Sequence, residues 1–195
     1  MVWDKEAAMK KLKYAISHGE VDKDVINILN ILNSIDGIFT TSSCSGRANL
    51  IMMDSIGDKK GAISLQKTHV GLDRESIMNT LIESDINEDS IIFLNIEPPI
   101  FHITATDRDI GMLILRKSRE CGFKNSSIKH ISEKGYRMEL LSTELLHIPI
   151  AYGNDLLFDM DGFEKVISLC NMTLDRGKSK LKKLEFELIS LNIST

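Results

Sequence analysis

The sequence predicts an α+β fold: a mixed, largely antiparallel β-sheet flanked by helices, with long helices at both termini. Three observations predict it. Apolar residues recur at helical spacing near both ends of the chain, at Trp3, Ala7, Ala8, Leu12, Ala15 and Ile16 and again from Phe163 to Leu188. Between these ends lie short runs that alternate or are continuously apolar, separated by small polar turns, which is the pattern of strands. Helix-like stretches interrupt that middle region only before Ile91 and after Ala105. Helices at the ends around a sheet of about seven strands make an α+β arrangement.

Taken in order, the first helix stops near Gly19, and Asp22 is placed to cap a second carrying Val25, Ile28, Leu29 and Leu32 and ending at Gly37. Gly57 to Gly61 reads as a tight turn, without the spacing of a phosphate-binding loop. Ala62 to His69 reads as a strand, and Asp73 caps a helix with Ile77, Met78, Leu81 and Ile82. Ile91 to Leu94 is a continuous apolar strand, broken by Glu97-Pro98-Pro99. Ile100 to Ala105 alternates, with Phe101, Ile103 and Ala105 on one face and Ile100, His102 and Thr104 on the other. Thr106 to Asp109 has the form of a capping box for a helix ending at Gly122. Ile128 to Ser132 and Tyr136 to Ser142 read as a strand pair, and Pro149 makes His147 to Ile150 an edge or irregular strand. Asp161 with Glu164 signals the start of the final helix.

The 195 residues suit a single domain, 1–195, with a hydrophobic fraction of 43% and a charged fraction of 27%. A formal net charge of −4 argues against nonspecific coating of nucleic acid, while leaving room for a local basic patch. No run is long and apolar enough to span a membrane, and no secretory signal is visible, so a cytoplasmic protein is expected. Cys121 and Cys170 fall in apolar helical patterns and read as core thiols. The sequence carries no signal for an oligomeric state.

The chemistry concentrates in Thr41, Ser42, Ser43, Cys44, Ser45, Gly46 and Arg47, between one strand entry at Gly37-Ile38-Phe39 and a second strand at Leu50 to Met53. Such residues suit an ordinary hydroxyl-rich turn. They also suit a ligand loop, because Gly46 admits a positive φ and Arg47 offers a planar fork for a carboxylate or phosphate. A second small polar loop, Phe123 to Ser127, carries Asn125 and Ser126. His69 and His102 are the histidines with functional promise; His18, His130 and His147 read as structural or surface residues. Cys44, His69 and His102 form the alternative of a metal site or a cysteine–histidine enzyme. No C-x-x-C or H-x-x-x-H pair supports a metal, so none is expected. Lys180, Lys182 and Lys183 lie in a basic run on the final helix, which suits a solvated surface or contact with a phosphate backbone.

Several stretches together resemble the wybutosine-synthesis methyltransferases, the third protein of the tRNA wybutosine-synthesising pathway and its archaeal relatives. Thr41 to Arg47 is similar to that family's signature, and Val21-Asp22 to its Val-Asp pair. Glu97-Pro98-Pro99-Ile100-Phe101-His102 resembles its Glu-Pro-x-x-x-His strand. Gly122 to Ile128 resembles its Gly-Phe-Arg-x-Ser-Gly-Ile loop, with Ser127 standing where the family has a second glycine. Ser142-Thr143 and Pro149 fall where the family has a similar pair and proline. The chain departs from the family before His69, where Ser64 to Thr68 hold no aromatic residue.

The resemblance implies a methyltransferase that uses S-adenosylmethionine. Its implied substrate is phenylalanine tRNA, methylated at N4 of a partly built tricyclic guanine next to the anticodon. Thr41 to Arg47, His69, Asn125 and Ser126 would bind donor or substrate, and His102 and Glu97 would orient or deprotonate the target nitrogen. Cys44 is not expected to act as a nucleophile, because a sulfonium donor already carries an activated methyl group. Pattern alone does not lead there: no G-x-G-x-x-G follows a strand, so a Rossmann-type methyltransferase is not predicted. A non-catalytic RNA-binding module is the other reading.

Overall fold

The structure is a computed structural model that describes residues 4–57 and 60–193. Trp3, Asp58 and Lys59, read above as helix and turn residues, lie outside the described residues. The chain forms two compact units, each with its own sheet and core.

The first unit comprises Met1–Ser45, Pro98–Thr143 and Gly177–Thr195. Its sheet has the order β1-β5-β7-β6, with β1 at Ile38–Cys44, β5 at Ile100–Ala105, β6 at Ser127–Ser132 and β7 at Gly135–Leu141. Helices α1 (Lys5–Ser17) and α2 (Ile26–Ser34) both contact β1, and α4 (Arg108–Glu120) contacts β5 and β7. The core gathers Ile28, Leu29 and Leu32 of α2, Phe101 and Ile103 of β5, Met138 and Leu140 of β7, Ile114 of α4 and Phe123. Leu181, Leu184 and Leu188 of the final helix α5 (Met160–Ile193) complete it. The alternation expected for β5 is present: Phe101, Ile103 and Ala105 enter this core. Each large side chain so buried contributes about 1.5–3 kcal/mol.

The second unit comprises Gly46–Glu97 and Glu144–Arg176. Its sheet has the order β3-β2-β4-β8-β9, with β2 at Arg47–Met53, β3 at Ile63–Thr68, β4 at Ile91–Glu97, β8 at Leu146–Tyr152 and β9 at Asp155–Leu156. Helix α3 (Arg74–Glu83) contacts β3. Its core holds Leu50, Ile77, Ile92, Leu94, Ile150, Phe163 and Cys170. The continuous apolar run of β4 is explained by its place at the centre of the sheet, between β2 and β8.

The α+β class stands, with every pairing in both sheets antiparallel. The sheet count differs from expectation. The sequence pattern predicts one sheet of about seven strands, and the described residues form two sheets holding nine strands. Periodicity marks where strands lie but not their partners. The two runs on either side of the Ser-Cys stretch, β1 and β2, belong to different sheets.

Three helix starts also differ. Asp107, not Thr106, caps α4: its carboxylate accepts from the Asp109 and Ile110 amides at 2.9 and 3.0 Å. Thr106 instead donates to the Gly37 carbonyl. Asp159, one residue before α5, accepts from the Gly162 amide at 2.7 Å, whereas Asp161 pairs with Lys165 one turn on. Asp22 precedes a 3₁₀ turn, Lys23–Val25, without a side-chain cap. Each of these sites offers more than one carboxylate or hydroxyl, and the sequence does not say which is aimed at the open amides. Asp73 caps α3 as read, accepting from Ser76 at 2.7 Å.

Cys121 and Cys170 are core thiols. Burial raises the Cys121 thiol and pushes that of Cys170 from 9.0 to about 11. A thiol harder to ionise in the folded state stabilises the fold below the unfolded value. That contribution is lost as pH rises from about 9 to about 11, by up to about 3 kcal/mol at 1.36 kcal/mol per unit. Denaturant unfolding at about pH 8 and about pH 10.5 will show a steeper alkaline loss for the natural chain than for Cys170→Ala. Equal slopes would show that this thiol ionises as readily folded as unfolded.

Candidate active site

The composition of the hydroxyl-rich stretch predicts a loop, but Thr41 to Cys44 belong to β1. Only Ser45 and Gly46 form the turn, and Gly46 takes the positive φ foreseen for it, +88°. Strand continues through Cys44 because a neighbouring strand supplies a ladder for it: Ser42, Ser43 and Cys44 pair with His102, Phe101 and Ile100. The pairing is not regular. Thr40 opposes Ile103 and Ser42 opposes His102, so Thr41 is an extra residue, a β-bulge.

The bulge is held from outside the ladder. Asn33 of α2 accepts from the Thr40 amide at 2.8 Å and donates to the Thr40 hydroxyl at 2.8 Å. The same amide group donates to the Leu29 carbonyl at 2.7 Å, which fixes Asn33 itself. The Thr41 hydroxyl reaches the His102 carbonyl at 3.3 Å.

A row of polar side chains crosses the sheet at this level. Ser42, His102 and Glu139 are register partners on β1, β5 and β7, so their side chains share a face. The Ser42 hydroxyl lies 2.7 Å from His102 Nδ1, and His102 Nε2 lies 3.2 Å from Glu139 Oε2. Lys129 of β6 closes the row, with Nζ 2.8 Å from Glu139 Oε1.

The row borders a cavity of about 690 Å³ within the first unit. Leu12, Val21, Leu29, Ile103 and Met138 give it apolar walls; Thr40 to Ser43 and His102 line it with hydroxyls and an imidazole. Lys11, Lys129 and Arg137 bring positive charge to it and Glu20 brings negative charge. A chamber with apolar walls and convergent polar groups is the usual form of a small-ligand site, and this volume lies in the usual range of about 300–1,000 Å³.

The other expected residues separate from this row. Ser45 is buried, and its amide donates to Asp22 at 2.7 Å, which explains why Asp22 does not cap a helix. Ser126 is buried too: its hydroxyl donates to the Phe123 carbonyl at 2.5 Å and accepts from the Leu141 amide at 2.9 Å. Asn125 is exposed and donates to the Ser142 carbonyl at 3.4 Å. Cys44 is half-buried. Lys182 and Lys183 are exposed, while Lys180 is half-buried and donates to Thr143 at 2.7 Å.

In the second unit, Arg47 Nε meets Glu97 Oε2 at 2.6 Å, and the Asn49 amide donates to Glu97 Oε1 at 3.2 Å. Ser64 in turn donates to Asn49 at 2.6 Å. The carboxylate that Arg47 was expected to meet on a ligand is thus supplied by the chain. His69 follows β3 and its Nδ1 lies 2.9 Å from the Gly46 carbonyl. Glu97 and His102, expected to act together, belong to different units.

Sequence reasoning missed Glu139, Lys129, Asn33 and Asn49. Glu139 shares its face of β7 with Arg137, so alternation marks it as outside the core. Its partnership with His102 needs the register of two strands far apart in sequence.

The family model described as Methyltransferase TYW3 matches residues 3–190. The chain is 36% identical over 187 residues to a Thermococcus sibiricus protein named tRNA(Phe) 7-((3-amino-3-carboxypropyl)-4-demethylwyosine(37)-N(4))-methyltransferase, covering 96% of this chain and 93% of that protein. It is 32% identical to a Pyrococcus furiosus protein of the same name, numbered 1, covering 96% and 94%. Among solved structures it is similar to the PH1069 protein from Pyrococcus horikoshii, with a TM-score of 0.87, 32% identity and coverage of 94% and 93%.

The Arg47–Glu97 pair is about one-third exposed on each side (33% and 29%). Its net worth is therefore roughly 1 kcal/mol. Arg47→Ala and Glu97→Gln, alone and combined, will show a coupling of that size in denaturant unfolding. Coupling indistinguishable from zero would mean that the pair does not hold Arg47 in place.

Proposed function

We infer the function from the premise that the chain belongs to the Methyltransferase TYW3 family. It methylates tRNA, and its acceptor is N4 of the 4-demethylwyosine-type tricyclic base of phenylalanine tRNA, next to the anticodon. The methyl donor is S-adenosylmethionine. The observation that carries this reading is the cavity beside Ser42, His102 and Glu139, within a chain whose family match spans 3–190. The whole chain, 1–195, acts as one functional domain, in the cytoplasm where tRNA is modified.

The cavity fits the groups involved. Donor and acceptor both present flat rings for apolar walls. The donor adds a carboxylate, an ammonium and a ribose diol, which suit Lys11, Lys129, Arg137, Glu20 and the hydroxyls of Thr41, Ser42 and Ser43. When bound, the donor supplies a methyl on a sulfonium, so the acceptor nitrogen attacks it directly and no metal or covalent enzyme intermediate is required. The chain's residues position the reactants, exclude water and receive the proton from the acceptor nitrogen. His102 is the residue that ends up protonated, and Glu139 is placed to hold its imidazole in orientation.

Arg47, Gly46 and Cys44 are binding residues on the strength of the motif they belong to, with Glu97 orienting Arg47, and His69 joins them through its place beside the Gly46 carbonyl. Ser45 and Ser126 act by fixing backbone, and Asn125 offers an exposed amide beside Ser126. Lys182 and Lys183, with Lys180, supply phosphate-backbone contacts.

The test is donor and tRNA binding with one preparation. S-adenosylmethionine will raise the melting temperature with concentration, reaching about 2.7 kcal/mol of stabilisation at a hundredfold excess over the dissociation constant. Changing Lys180, Lys182 and Lys183 to Gln will weaken tRNA binding and flatten its salt dependence. A melt indifferent to millimolar donor would favour a non-catalytic RNA-binding module instead. An unchanged salt slope would show that the lysine surface is merely solvated.

A further inference from the structure

We propose that Glu139 is a positioning residue that fixes the tautomer of His102, and that Ser42 Oγ is thereby the atom that takes the proton from the acceptor nitrogen. The proposal rests on the methyl-transfer reading above and assigns roles within the same cavity.

The Glu139 side chain is only 14% exposed, and both its oxygens are engaged, Oε1 by Lys129 at 2.8 Å and Oε2 by His102 Nε2 at 3.2 Å. An ionised carboxylate accepts hydrogen bonds and donates none, so the proton of this contact sits on His102 Nε2. In the neutral ring, Nδ1 is then the acceptor. The Ser42 hydroxyl, 2.7 Å away, must donate to it. Donating in that direction leaves the Ser42 oxygen with its lone pairs open toward the cavity it lines.

The proton path follows. As the acceptor nitrogen forms its bond to the methyl carbon, the donor's sulfur keeps the electron pair of the bond that breaks. The acceptor nitrogen loses its proton to Ser42 Oγ while the Ser42 proton passes to His102 Nδ1. The product is a methylated nitrogen, a neutral sulfide, an intact serine and an imidazolium beside the Glu139 carboxylate. Glu139 stays ionised throughout and acts only through the imidazole, which parallels the orienting carboxylate of serine hydrolases with the two ring nitrogens exchanged.

Lys129 makes the test sharp. In Glu139→Gln, Lys129 can only donate, so the amide carbonyl turns to Lys129 and the amide NH₂ turns to His102 Nε2. The ring proton is then driven to Nδ1, which donates to Ser42 and blocks the transfer.

The experiment is two-bond proton–nitrogen NMR of histidine-labelled protein, paired with single-turnover methylation of pathway-arrested tRNA. The natural chain will show its unprotonated nitrogen coupled to Hε1 alone, the mark of Nδ1, and Glu139→Gln will show it coupled to Hδ2 and Hε1. Turnover of the variant will fall at least about tenfold while donor and tRNA affinities stay within about twofold, the pattern of a group acting only in the transition state. A proton on Nδ1 in the natural chain, a variant that keeps its tautomer, or a flipped tautomer with undiminished turnover each overturns the proposal. The natural-chain spectrum decides the tautomer even if the variant does not fold. The expected tautomer with no methylation by the natural chain overturns the methyl-transfer reading and leaves the tautomer assignment standing.

Discussion

The bulge at Thr41 sets the register of β1 on β5, and the polar row of the first unit depends on that register. In an unbroken ladder, pairing Thr40 with Ile103 would put Thr41 opposite His102. The extra residue puts Ser42 there instead, at hydrogen-bond distance from the ring. A one-residue slip also exchanges the faces on which side chains point, so the rest of β1 changes sides with it. Asn33 binds both the amide and hydroxyl of Thr40, and so fixes the point at which the slip begins. A bulge pinned from a helix and placed beside a cavity is a common device for aiming one side chain.

The frame around the row is conventional packing. Phe101, Ile103, Met138 and Leu140 anchor β5 and β7 in the core, so the opposite faces of those strands are held at fixed spacing. Gly135 lets the start of β7 close on the end of β5: its φ is +124°, and a Cβ there would strike the Ala105 carbonyl oxygen. That close approach supports the β5–β7 register which sets His102 against Glu139. In the second unit, a comparable polar network of Arg47, Glu97, Asn49 and Ser64 sits on adjoining strands of the sheet.

Elements were legible in the sequence where one local signal settled them. The helix stripes, the alternation of β5, the strand break at Glu97-Pro98-Pro99 and the buried character of Cys121 and Cys170 are of this kind. The sheets were not legible, because β1 and β2 are consecutive yet pair with strands elsewhere in the chain. The candidate site was half legible. Its hydroxyls and His102 stood out by type and motif. Glu139 and Lys129 enter only through register, and Asn33 is an ordinary helix residue until its contact with Thr40 is known. Arg47 reads as a fork for a ligand carboxylate or phosphate, and composition does not show that Glu97 already meets it. Ser45 and Ser126 show a second use of such residues: a small polar residue in a motif can also tie backbone, which its residue type alone does not reveal.

The proposed reaction places one methyl group on N4 of the tricyclic base of phenylalanine tRNA. The direct measurement is mass spectrometry of nucleosides from pathway-arrested tRNA after incubation with the protein and methyl-labelled S-adenosylmethionine. The predicted result is a single labelled methyl whose fragmentation places it on the tricyclic ring nitrogen. Unlabelled tRNA with folded protein and bound donor, or a label on the side-chain carboxylate or ribose, would contradict it.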